Sequence, residues 1–297
     1  MKMKQYTATI GFFDGVHRGH RCLIEQLHEV ADKCSLDSMI ITFDRHPRQV
    51  VMTDYVPQLL STLPEKELLL RRTGVQHIEV LPFTESLRLM TALEFMREIL
   101  VRRLGVAVLL MGYDHRFGHG GGTMEQYVHW GQEVGIEVVS ARPLEGETIS
   151  SSLIRDVVRR GDMLEAARLL GYPYTLIGQV VPGHRVGRTL GFPTANIQVP
   201  REKLLPSRGV YAVTVTLPDG TLWKGVLNVG ERPTLHNGND VSVEVHLIDF
   251  IGDLYQTQLQ IHVVCRLREE RLFASTDELR RQIEDDCRRA STILNEV

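Results

Sequence analysis

The stretch Ala8-Thr9-Ile10-Gly11-Phe12-Phe13-Asp14-Gly15-Val16-His17-Arg18-Gly19-His20 decides the fold of the N-terminal half. It opens with β-forming residues, continues with spaced glycines and enters a helical pattern near His20. Glycines let the backbone approach a phosphate closely, and a helix N-terminus offers free N–H groups and the positive end of its dipole. The order of strand, glycine-rich loop and helix therefore predicts an α/β unit with an anion site at the loop.

The same alternation of strand and helix continues to about residue 140. Helical patterns begin near Pro64, Thr91 and Thr123, and the clearest apolar stripe lies in residues 23–31. Such alternation predicts an open parallel sheet with helices on its faces, which binds ligands beyond the carboxyl ends of its strands. The predicted strands are Ala8–Phe12, Met39–Phe43, Val75–Leu81, Val106–Met111 and Ile136–Val139.

The predicted secondary structure changes after two short helical segments that follow Ser150. From Tyr174 to Arg268 the chain alternates as strands do, with a hairpin signal at Asp219-Gly220. A closed or nearly closed antiparallel barrel is the natural way to cover so many strand edges. A final helix is indicated by the capping pair Ser275 and Glu278. We predict two domains, residues 1–172 and residues 173–297.

Composition agrees with two globular domains. The chain has 297 residues, of which 43% are hydrophobic and 24% charged, with a formal net charge of -3. One domain usually has about 100–150 residues, so two are expected. Binding to nucleic acid or to an anionic membrane normally needs a strongly basic surface, which this charge excludes. Any anionic ligand must be held locally.

The cysteines and the N-terminus indicate a cytoplasmic protein. Four cysteines form no Cys-x-x-Cys pair, so reduced thiols in a reducing compartment are expected. The apolar stretch after Lys2 and Lys4 is broken by Asp14 and has no small-residue cleavage site, so a signal peptide is not expected. No run of about 18 apolar residues occurs, so no membrane span is expected either.

His17 and His20 are the candidate chemical groups of the first loop. Standing three residues apart at the loop-to-helix junction, both imidazoles can point toward one anion and stabilise charge that develops on a phosphate. The alternative is that they only finish a turn and cap the helix. A zinc site is not favoured, because no cysteine or carboxylate cluster lies nearby. We interpret Asp14 as a turn former rather than a magnesium ligand.

A second candidate site lies between Gly183 and Asn196. Gly183 and Arg185 belong to a glycine- and arginine-rich loop that could fold over phosphates, although it is not a Walker loop. Thr194 and Asn196 offer hard oxygen ligands two residues apart on one strand face, which suits Mg²⁺. The alternative is a Gly-Pro turn in which these side chains satisfy backbone groups.

The N-terminal segments resemble a known family. Gly11–His20, Thr42–Pro47, Gly112–Gly118 and Ile149–Arg155 are similar to the adenylyltransferase half of the prokaryotic bifunctional riboflavin kinase/FAD synthetases. The resemblance implies a Rossmann-like nucleotidyltransferase domain. It implies ATP contacts from Gly11, Phe12, Gly15, His17, His20, Ser151, Ser152 and Arg155. It implies flavin contacts from His46, Asp114, Arg116 and Phe117.

Four residues depart from the common pattern of that family. Phe12 stands where many members have Asn, and Arg45 stands where Pro is frequent. His115 replaces the usual Phe, and Ser152 replaces the usual Thr. Ser152 keeps the hydroxyl group, whereas Phe12 and His115 change the polarity beside the predicted site.

The C-terminal segments resemble the kinase half of the same family. The matching stretches are Gly191–Asn196, Leu205–Ala212, Asn228–Thr234 and Val243–Phe250. The resemblance implies a β-barrel kinase domain in which Thr194 and Asn196 bind magnesium-ATP and Glu244 is the catalytic base. It also implies flavin contacts from Arg268 and Phe273, for which a charged helix entry with an apolar anchor is the alternative.

The two predicted sites differ in the nucleophile they serve. A kinase site acts on a neutral ribityl alcohol, which benefits from a carboxylate such as Glu244. Glu244 shares one strand face with Ser242 and His246, a face that periodicity alone would equally assign to solvent. A phosphate nucleophile is already mostly dianionic at neutral pH and needs no base.

The predicted function is a two-step flavin synthesis. Riboflavin and ATP give FMN and ADP, and FMN and ATP then give FAD and pyrophosphate, with Mg²⁺ as the metal cofactor. The alternatives are a single-activity transferase with one inactive half and a flavin- or nucleotide-binding regulator without turnover. The expected partners are these small molecules, with no nucleic acid and no membrane, and homo-oligomerisation is left open.

Overall fold

The structure is a computed structural model that describes residues 4–52, 54–113, 115–183, 191–232 and 240–296, with residues 231, 232 and 240 described by their backbone only. Its contacts divide the chain into two compact units. The first unit comprises residues 1–57 and 61–151, and the second comprises residues 58–60 and 152–297. The first is an α/β unit and the second contains a closed barrel.

The first unit is built on a sheet of five strands in the order β3-β2-β1-β4-β5. Every neighbouring pair is parallel, which confirms the predicted open parallel sheet. β1 lies at the centre, so the loop that follows it emerges from the middle of the carboxyl edge. The strands are β1 (Tyr6–Ile10), β2 (Asp37–Phe43), β3 (His77–Leu81), β4 (Val106–Met111) and β5 (Glu137–Ser140).

Three helices of this unit begin where the sequence predicts them. Thr62, Thr91 and Thr123 each cap a helix with a complete capping box. Two short helices, α2 and α4, were not predicted, because they are too short to show helical periodicity. The helices are α1 (Arg18–Cys34), α2 (Arg48–Val51), α3 (Leu63–Arg71), α4 (Glu85–Leu89), α5 (Ala92–Phe95, continued by π-helical turns over Met96–Arg103) and α6 (Met124–Val134).

Helix α1 packs through the predicted apolar stripe. Ile24, Leu27 and Ala31 are buried, with at most 2% of each exposed. Complete burial of each Ile or Leu side chain contributes about 1.5–3 kcal/mol. Because α1 contacts β1 and β2, this burial fixes the helix behind the loop that precedes it.

The second unit contains a closed barrel with strand order β10-β7-β6-β11-β8-β9. All its pairs are antiparallel, as predicted. The predicted hairpin joins β8 and β9, where Gly220 adopts a φ of 84°. The strands are β6 (Tyr174–Val181), β7 (Ala195–Gln198), β8 (Gly209–Thr216), β9 (Leu222–Arg232), β10 (Asp240–Leu247) and β11 (Gln258–Arg268).

Two helices before the barrel group with it rather than with the sheet. Helix α7 spans Ser151–Arg160 and α8 spans Met163–Leu170. Asp162 caps α8 and Gly171 ends it in a left-handed conformation. Because α8 packs on β6 and β11, α8 and the part of α7 after Ser151 belong by their contacts to the second unit. The functional division into residues 1–172 and 173–297 stays a prediction.

The C-terminal helix α9 spans Thr276–Ile293. The Ser275 hydroxyl accepts the N–H of Glu278 at 3.2 Å, while the Glu278 carboxylate accepts the N–H of Ala274 at 3.1 Å rather than that of Ser275. Its apolar side buries Ala290 and Leu294 against the barrel. Over the described part of the chain, no helix combines the length and apolarity needed to cross a membrane.

Candidate active sites

The loop after β1 is held by a buried network around Asp14. One Asp14 carboxylate oxygen accepts the N–H of Ser61 at 3.0 Å, and the Ser61 hydroxyl accepts the N–H of Gly15 at 2.9 Å. Ser151 donates its hydroxyl proton to the Asp14 carbonyl at 3.0 Å. The carboxylate therefore shapes the loop, as a turn former does. Ser151 lies at this loop, whereas its predicted contact with ATP stays a prediction.

His17 and His20 lie together where the loop enters α1. Their rings stack with centroids 3.7 Å apart and an interplanar angle of 16°. Helix α1 begins at Arg18 rather than near His20, because His17 Nδ1 accepts the N–H of His20 at 3.3 Å and so caps the helix. His17 therefore caps the helix, as the alternative interpretation expects. Capping uses only Nδ1, so Nε2 of His17 takes no part in it.

Both imidazoles are neutral at physiological pH. Burial lowers the pKa of His17 from 6.5 to about 4. Burial lowers the pKa of His20 well below its ordinary value, and electrostatic repulsion from the protonated forms of His17 and His115 and from the Lys66 ammonium lowers it further. Because Nδ1 of His17 accepts a hydrogen bond, its Nε2 carries the proton and can donate.

His20 has a buried ring nitrogen without a protein partner. Its Nδ1 makes no hydrogen bond to any residue that the structure describes. A buried polar atom of this kind costs free energy unless a ligand or water satisfies it. This nitrogen is available to a ligand or to an ordered water, and the anion site predicted for this loop stays a prediction.

Phe12 and His46 lie on the carboxyl side of β1 and β2. Their rings meet edge to face with centroids 5.2 Å apart, and Tyr55 lies 5.8 Å from His46 on its other side. The Phe12 ring also covers the ammonium of Lys66 at 4.4 Å. This aromatic wall stands beside the glycine-rich loop, where the resemblance places the flavin side.

The loop after β4 carries the other predicted flavin residues. Phe117 packs between Phe95 and Tyr127, with centroid distances of 5.4 and 4.8 Å. Its N–H donates to the Tyr127 hydroxyl at 2.8 Å, and that hydroxyl donates to the Phe117 carbonyl at 2.7 Å. Arg116 is exposed, and Asp114 lies outside the described residues. Phe117 is thus an anchor of its loop, and its contact with flavin stays a prediction.

Replacing Tyr127 with phenylalanine is expected to lower the free energy of unfolding by about 1–3 kcal/mol, because both backbone groups of Phe117 lose their partner. Urea unfolding followed by fluorescence measures the change. Tyr55→Phe is the matched control, since the Tyr55 hydroxyl makes no hydrogen bond to any residue that the structure describes, and its ring contact with His46 does not involve the hydroxyl. Equal stability of the two variants would contradict the anchoring role.

Ser152 and Arg155 lie on α7, directly after Ser151. The Arg155 guanidinium donates to the Ser152 hydroxyl at 3.3 Å, and Arg155 is partly exposed. Both residues belong by their contacts to the second unit. Their role at the ATP phosphates stays a prediction.

The second candidate site crosses three neighbouring strands of the barrel. Asn196 on β7 and Asn228 on β9 both pair in register with Glu244 on the intervening strand β10. The Thr194 hydroxyl donates to Glu244 Oε2 at 3.1 Å. Asn196 is only 8% exposed. The face that carries Glu244 is therefore not a plain solvent face, and it brings together the three residues predicted for this site.

Space for a ligand lies next to these residues. A cavity of about 270 Å³ is bordered by Pro193, Thr194, Val245, Phe250 and Tyr255, among others. Its lining combines apolar and aromatic side chains with a few polar groups, as small-molecule sites do. Of the three residues predicted for this site, Thr194 lines the cavity, whereas Asn196 and Glu244 are not among its lining residues.

Gly183 lies against Asn196. A Cβ atom at this position would overlap with the Asn196 amide group, so the close approach requires glycine. This contact brings the start of the predicted phosphate loop to the Thr194–Asn196 segment. Arg185 lies outside the described residues.

Gly183→Ala is expected to displace the Asn196 amide and to lower riboflavin phosphorylation by up to about 100-fold, because small misplacements of a catalytic site are costly. Adenylyl transfer to supplied FMN should not change. Gly220→Ala is the control for backbone strain in the barrel away from the site, because its Cβ would meet no neighbour while its φ of 84° is unfavourable for alanine. Unaltered phosphorylation by the Gly183 variant would show that this contact does not support the site.

Arg268 and Phe273 lie near the start of α9. Arg268 forms an ion pair with the buried Asp286 at 2.8 Å, and its guanidinium lies 5.6 Å from the Phe273 ring. The Arg271 guanidinium lies 4.8 Å from the same ring. The structure thus gives Arg268 a role in attaching β11 to α9. Its predicted contact with flavin, and that of Phe273, stay predictions.

Several residues of these sites were missed by sequence reasoning. Ser61 and Tyr127 act through backbone groups distant in sequence, which no local pattern reveals. Asn228 becomes visible only once the strand register places it opposite Glu244. Lys66 follows a helix cap in a pattern typical of an exposed charge, yet it is 3% exposed.

The arrangement defines the class of protein before any comparison. An α/β unit with an anion site after its first strand, and a barrel with a carboxylate beside hard oxygen donors, are the parts of a two-site nucleotide-dependent transferase. Two family models match the chain, FAD synthetase over residues 1–153 and riboflavin kinase over residues 170–294. The chain belongs to the bifunctional riboflavin kinase/FMN adenylyltransferase family.

Characterised relatives cover nearly the whole chain. A bifunctional riboflavin kinase/FMN adenylyltransferase of Pseudomonas fluorescens is 38% identical over 289 residues, which are 96% of this chain and 92% of that protein. The protein of the same name in Escherichia coli (strain K12) is 39% identical over 281 residues, 94% of this chain and 89% of that protein. The resemblance stated from the motifs is thereby confirmed.

A solved structure supports the same fold. A Streptococcus pneumoniae protein described as a macrolide-efflux protein has a TM-score of 0.86 and 29% sequence identity, with 96% of this chain and 94% of that chain covered. The macrolide-efflux description applies to the Streptococcus pneumoniae protein and is not transferred to this chain. The shared architecture extends over both units of the present chain.

Proposed function

We propose that this protein makes FAD from riboflavin in two ATP-dependent steps. The barrel unit phosphorylates riboflavin to FMN, and the α/β unit transfers an adenylyl group from a second ATP to FMN. Membership of the bifunctional family and matches to both of its family models support this proposal. The observation that carries it is the convergence of Thr194, Asn196 and Glu244 on adjoining strands.

In the kinase step, Glu244 accepts the proton of the terminal ribityl hydroxyl as that oxygen attacks the γ-phosphate of ATP. A neutral alcohol is a weak nucleophile, so a positioned carboxylate accelerates the transfer. Thr194 donates to one Glu244 oxygen at 3.1 Å and so leaves the other available for the substrate. The products are FMN and ADP.

We also propose Mg²⁺ as the metal of the kinase site, held by Thr194 and Asn196. Their side-chain oxygens are the hard donors that Mg²⁺ prefers, and few protein ligands suffice when phosphates supply the rest. When bound, the ion would neutralise charge on the ATP phosphates. The described residues contain no group of three or more His, Cys, Asp or Glu side chains that could hold a metal ion, so a zinc-type site has no support in that part of the chain.

In the adenylyl step, the FMN phosphate attacks the α-phosphate of ATP and pyrophosphate leaves. The nucleophile is mostly dianionic at neutral pH, because its second pKa is about 6, so no base is required. The neutral imidazoles of His17 and His20 donate hydrogen bonds to charge that builds on the phosphates. The backbone N–H groups at the start of α1 add to this stabilisation.

The remaining assignments rest on the same proposal. We assign Gly11, Phe12, Gly15, Ser151, Ser152 and Arg155 to ATP in the first site and Gly183 and Arg185 to ATP in the second. His46, Asp114, Arg116 and Phe117 are assigned to FMN, and Arg268 and Phe273 to riboflavin. A cytoplasmic location is supported by four free cysteines.

One assay tests the function. The purified chain is incubated with riboflavin, ATP and Mg²⁺, and the flavins are separated by chromatography over time. We expect FMN to appear first and FAD to follow. If FMN forms but FAD does not, even when FMN is supplied, the protein has only the kinase activity. Flavin binding without any product would indicate a regulator.

A further inference from the structure

Lys66 is a charged side chain buried in the α/β unit. It lies on α3 and is 3% exposed. Its Nζ donates to the carbonyl oxygen of Phe12 at 3.1 Å and to that of Phe43 at 2.9 Å. These carbonyls follow β1 and end β2, so the ammonium lies at the carboxyl edge of the sheet. Parallel sheets bind their ligands at this edge.

The ammonium has no paired carboxylate. Among the described residues, Lys66 forms no ion pair, and two carbonyls occupy two of its three N–H donors. The face of the Phe12 ring lies 4.4 Å away. Burial of a charge without an ion pair is costly, and such groups concentrate at functional sites.

Charged groups on neighbouring elements act on the Lys66 ammonium. Asp14 from the loop after β1, Asp44 after β2 and Glu67 on α3 favour its charged form, but burial outweighs them and lowers the pKa of Lys66 to about 8. The positive charge of Lys66 lowers the pKa of His20 on α1, which helps to keep that imidazole neutral. Lys66 is thus the buried group of this site that is positive at neutral pH.

We propose that Lys66 is the fixed cation of the adenylyl-transfer site, where it favours the bound phosphates and holds the Phe12 and Phe43 carbonyls that shape the loop edge. This inference rests on the proposed function. It makes Lys66 a positioning and electrostatic residue, distinct from the hydrogen-bond donors His17 and His20. The ligand is a nucleotide phosphate, because the loop after β1 is the proposed phosphate site. The neutral imidazoles of that site cannot balance the negative charge of a phosphate.

The test compares two buried lysines in the full-length protein. Lys203 resembles Lys66: it is 4% exposed, donates to the Leu60 carbonyl at 2.6 Å and lies 4.6 Å from the Tyr174 ring, but it belongs to the barrel unit. Lys66→Met should lower FAD formation from supplied FMN roughly 10-fold to 100-fold, less than removal of a direct donor. Riboflavin phosphorylation should remain unchanged. Lys203→Met should not lower adenylyl transfer.

The pH profile provides a second readout that a structural role would not produce. Adenylyl transfer by the wild-type protein should fall as the pH rises through about 8, because Lys66 then loses its proton. Lys203→Met should show the same alkaline limb. Lys66→Arg should lose it, because guanidinium stays protonated in that range. This readout remains available if Lys66→Met does not fold.

The outcomes separate the inference from the function. If the wild-type protein forms no FAD from FMN, the proposed function fails and the inference fails with it. If it forms FAD but Lys66→Met is equally active, or if the wild-type profile has no alkaline limb, the inference alone is overturned. A parallel loss of both activities in Lys66→Met would also overturn it, because it would show a structural role.

Discussion

Glu244→Gln is expected to lower riboflavin phosphorylation by about 100-fold to 10,000-fold, the usual contribution of a general base. Glutamine has nearly the same shape and can still accept the Thr194 hydrogen bond, but it cannot take a proton at neutral pH. The measurement is the initial rate of FMN and ADP formation at saturating riboflavin and ATP. We expect kcat to fall far more than KM changes, because the carboxylate acts in the transition state.

The other reaction of the same protein is the control for Glu244. FAD formation from supplied FMN should proceed at the wild-type rate, since the α/β unit has its own residues for that step. Ser242→Ala changes the same face of β10 without removing the carboxylate and should retain phosphorylation. Full kinase activity in Glu244→Gln would refute the assignment of the base.

His17→Asn is expected to lower adenylyl transfer by about 100-fold to 1,000-fold, as the loss of one donor to a developing anion does. Asparagine is a good helix N-cap, so it can replace the Nδ1 interaction with His20 while it removes the Nε2–H donor. His17→Ala removes both, and it should also cost about 0.5–2 kcal/mol of stability. Pyrophosphate release with supplied FMN measures the activity.

The neutral state of the histidines predicts a particular pH dependence. The pKa of His17 is about 4 in the folded protein, so adenylyl transfer should show no loss near pH 6.5 from protonation of this residue. The unfolded chain takes up protons first, because its histidines have pKa values near 6.5. Stability therefore decreases as the pH falls from about 6.5 toward 4. An acid limb near 6.5 that disappears in His17→Asn would contradict a neutral imidazole.

Sequence patterns predicted the fold well because each unit repeats a strong local signal. The five parallel strands have continuous β-branched and apolar runs, and Thr62, Thr91 and Thr123 supply helix caps. For the barrel, the local signal is the alternation of apolar and polar residues along each strand together with the Asp219-Gly220 turn. Errors are confined to element ends and to the short helices α2 and α4, where few residues carry any periodicity.

The candidate sites were predicted only where chemistry is local in sequence. His17 and His20 share one helix start, so spacing alone places that pair, whereas Thr194 was expected on one strand with Asn196 and instead directly precedes β7. The partnership of Thr194 with Glu244 depends on strand register, and the burial of Lys66 depends on packing over Phe12. These relations arise from tertiary structure, which a single sequence does not encode in its local pattern.

The membership of residues 58–60 in the barrel unit limits how the protein can be divided into fragments. Leu59 pairs with the segment at Lys203 through two backbone hydrogen bonds, and the Leu60 carbonyl accepts the buried Lys203 ammonium. A gene fragment that starts at Pro173 encodes the family's kinase match but not this short strand. Its product would contain the buried Lys203 ammonium without that carbonyl, so the barrel unit would close its six strands but lose one of its own internal hydrogen-bond acceptors.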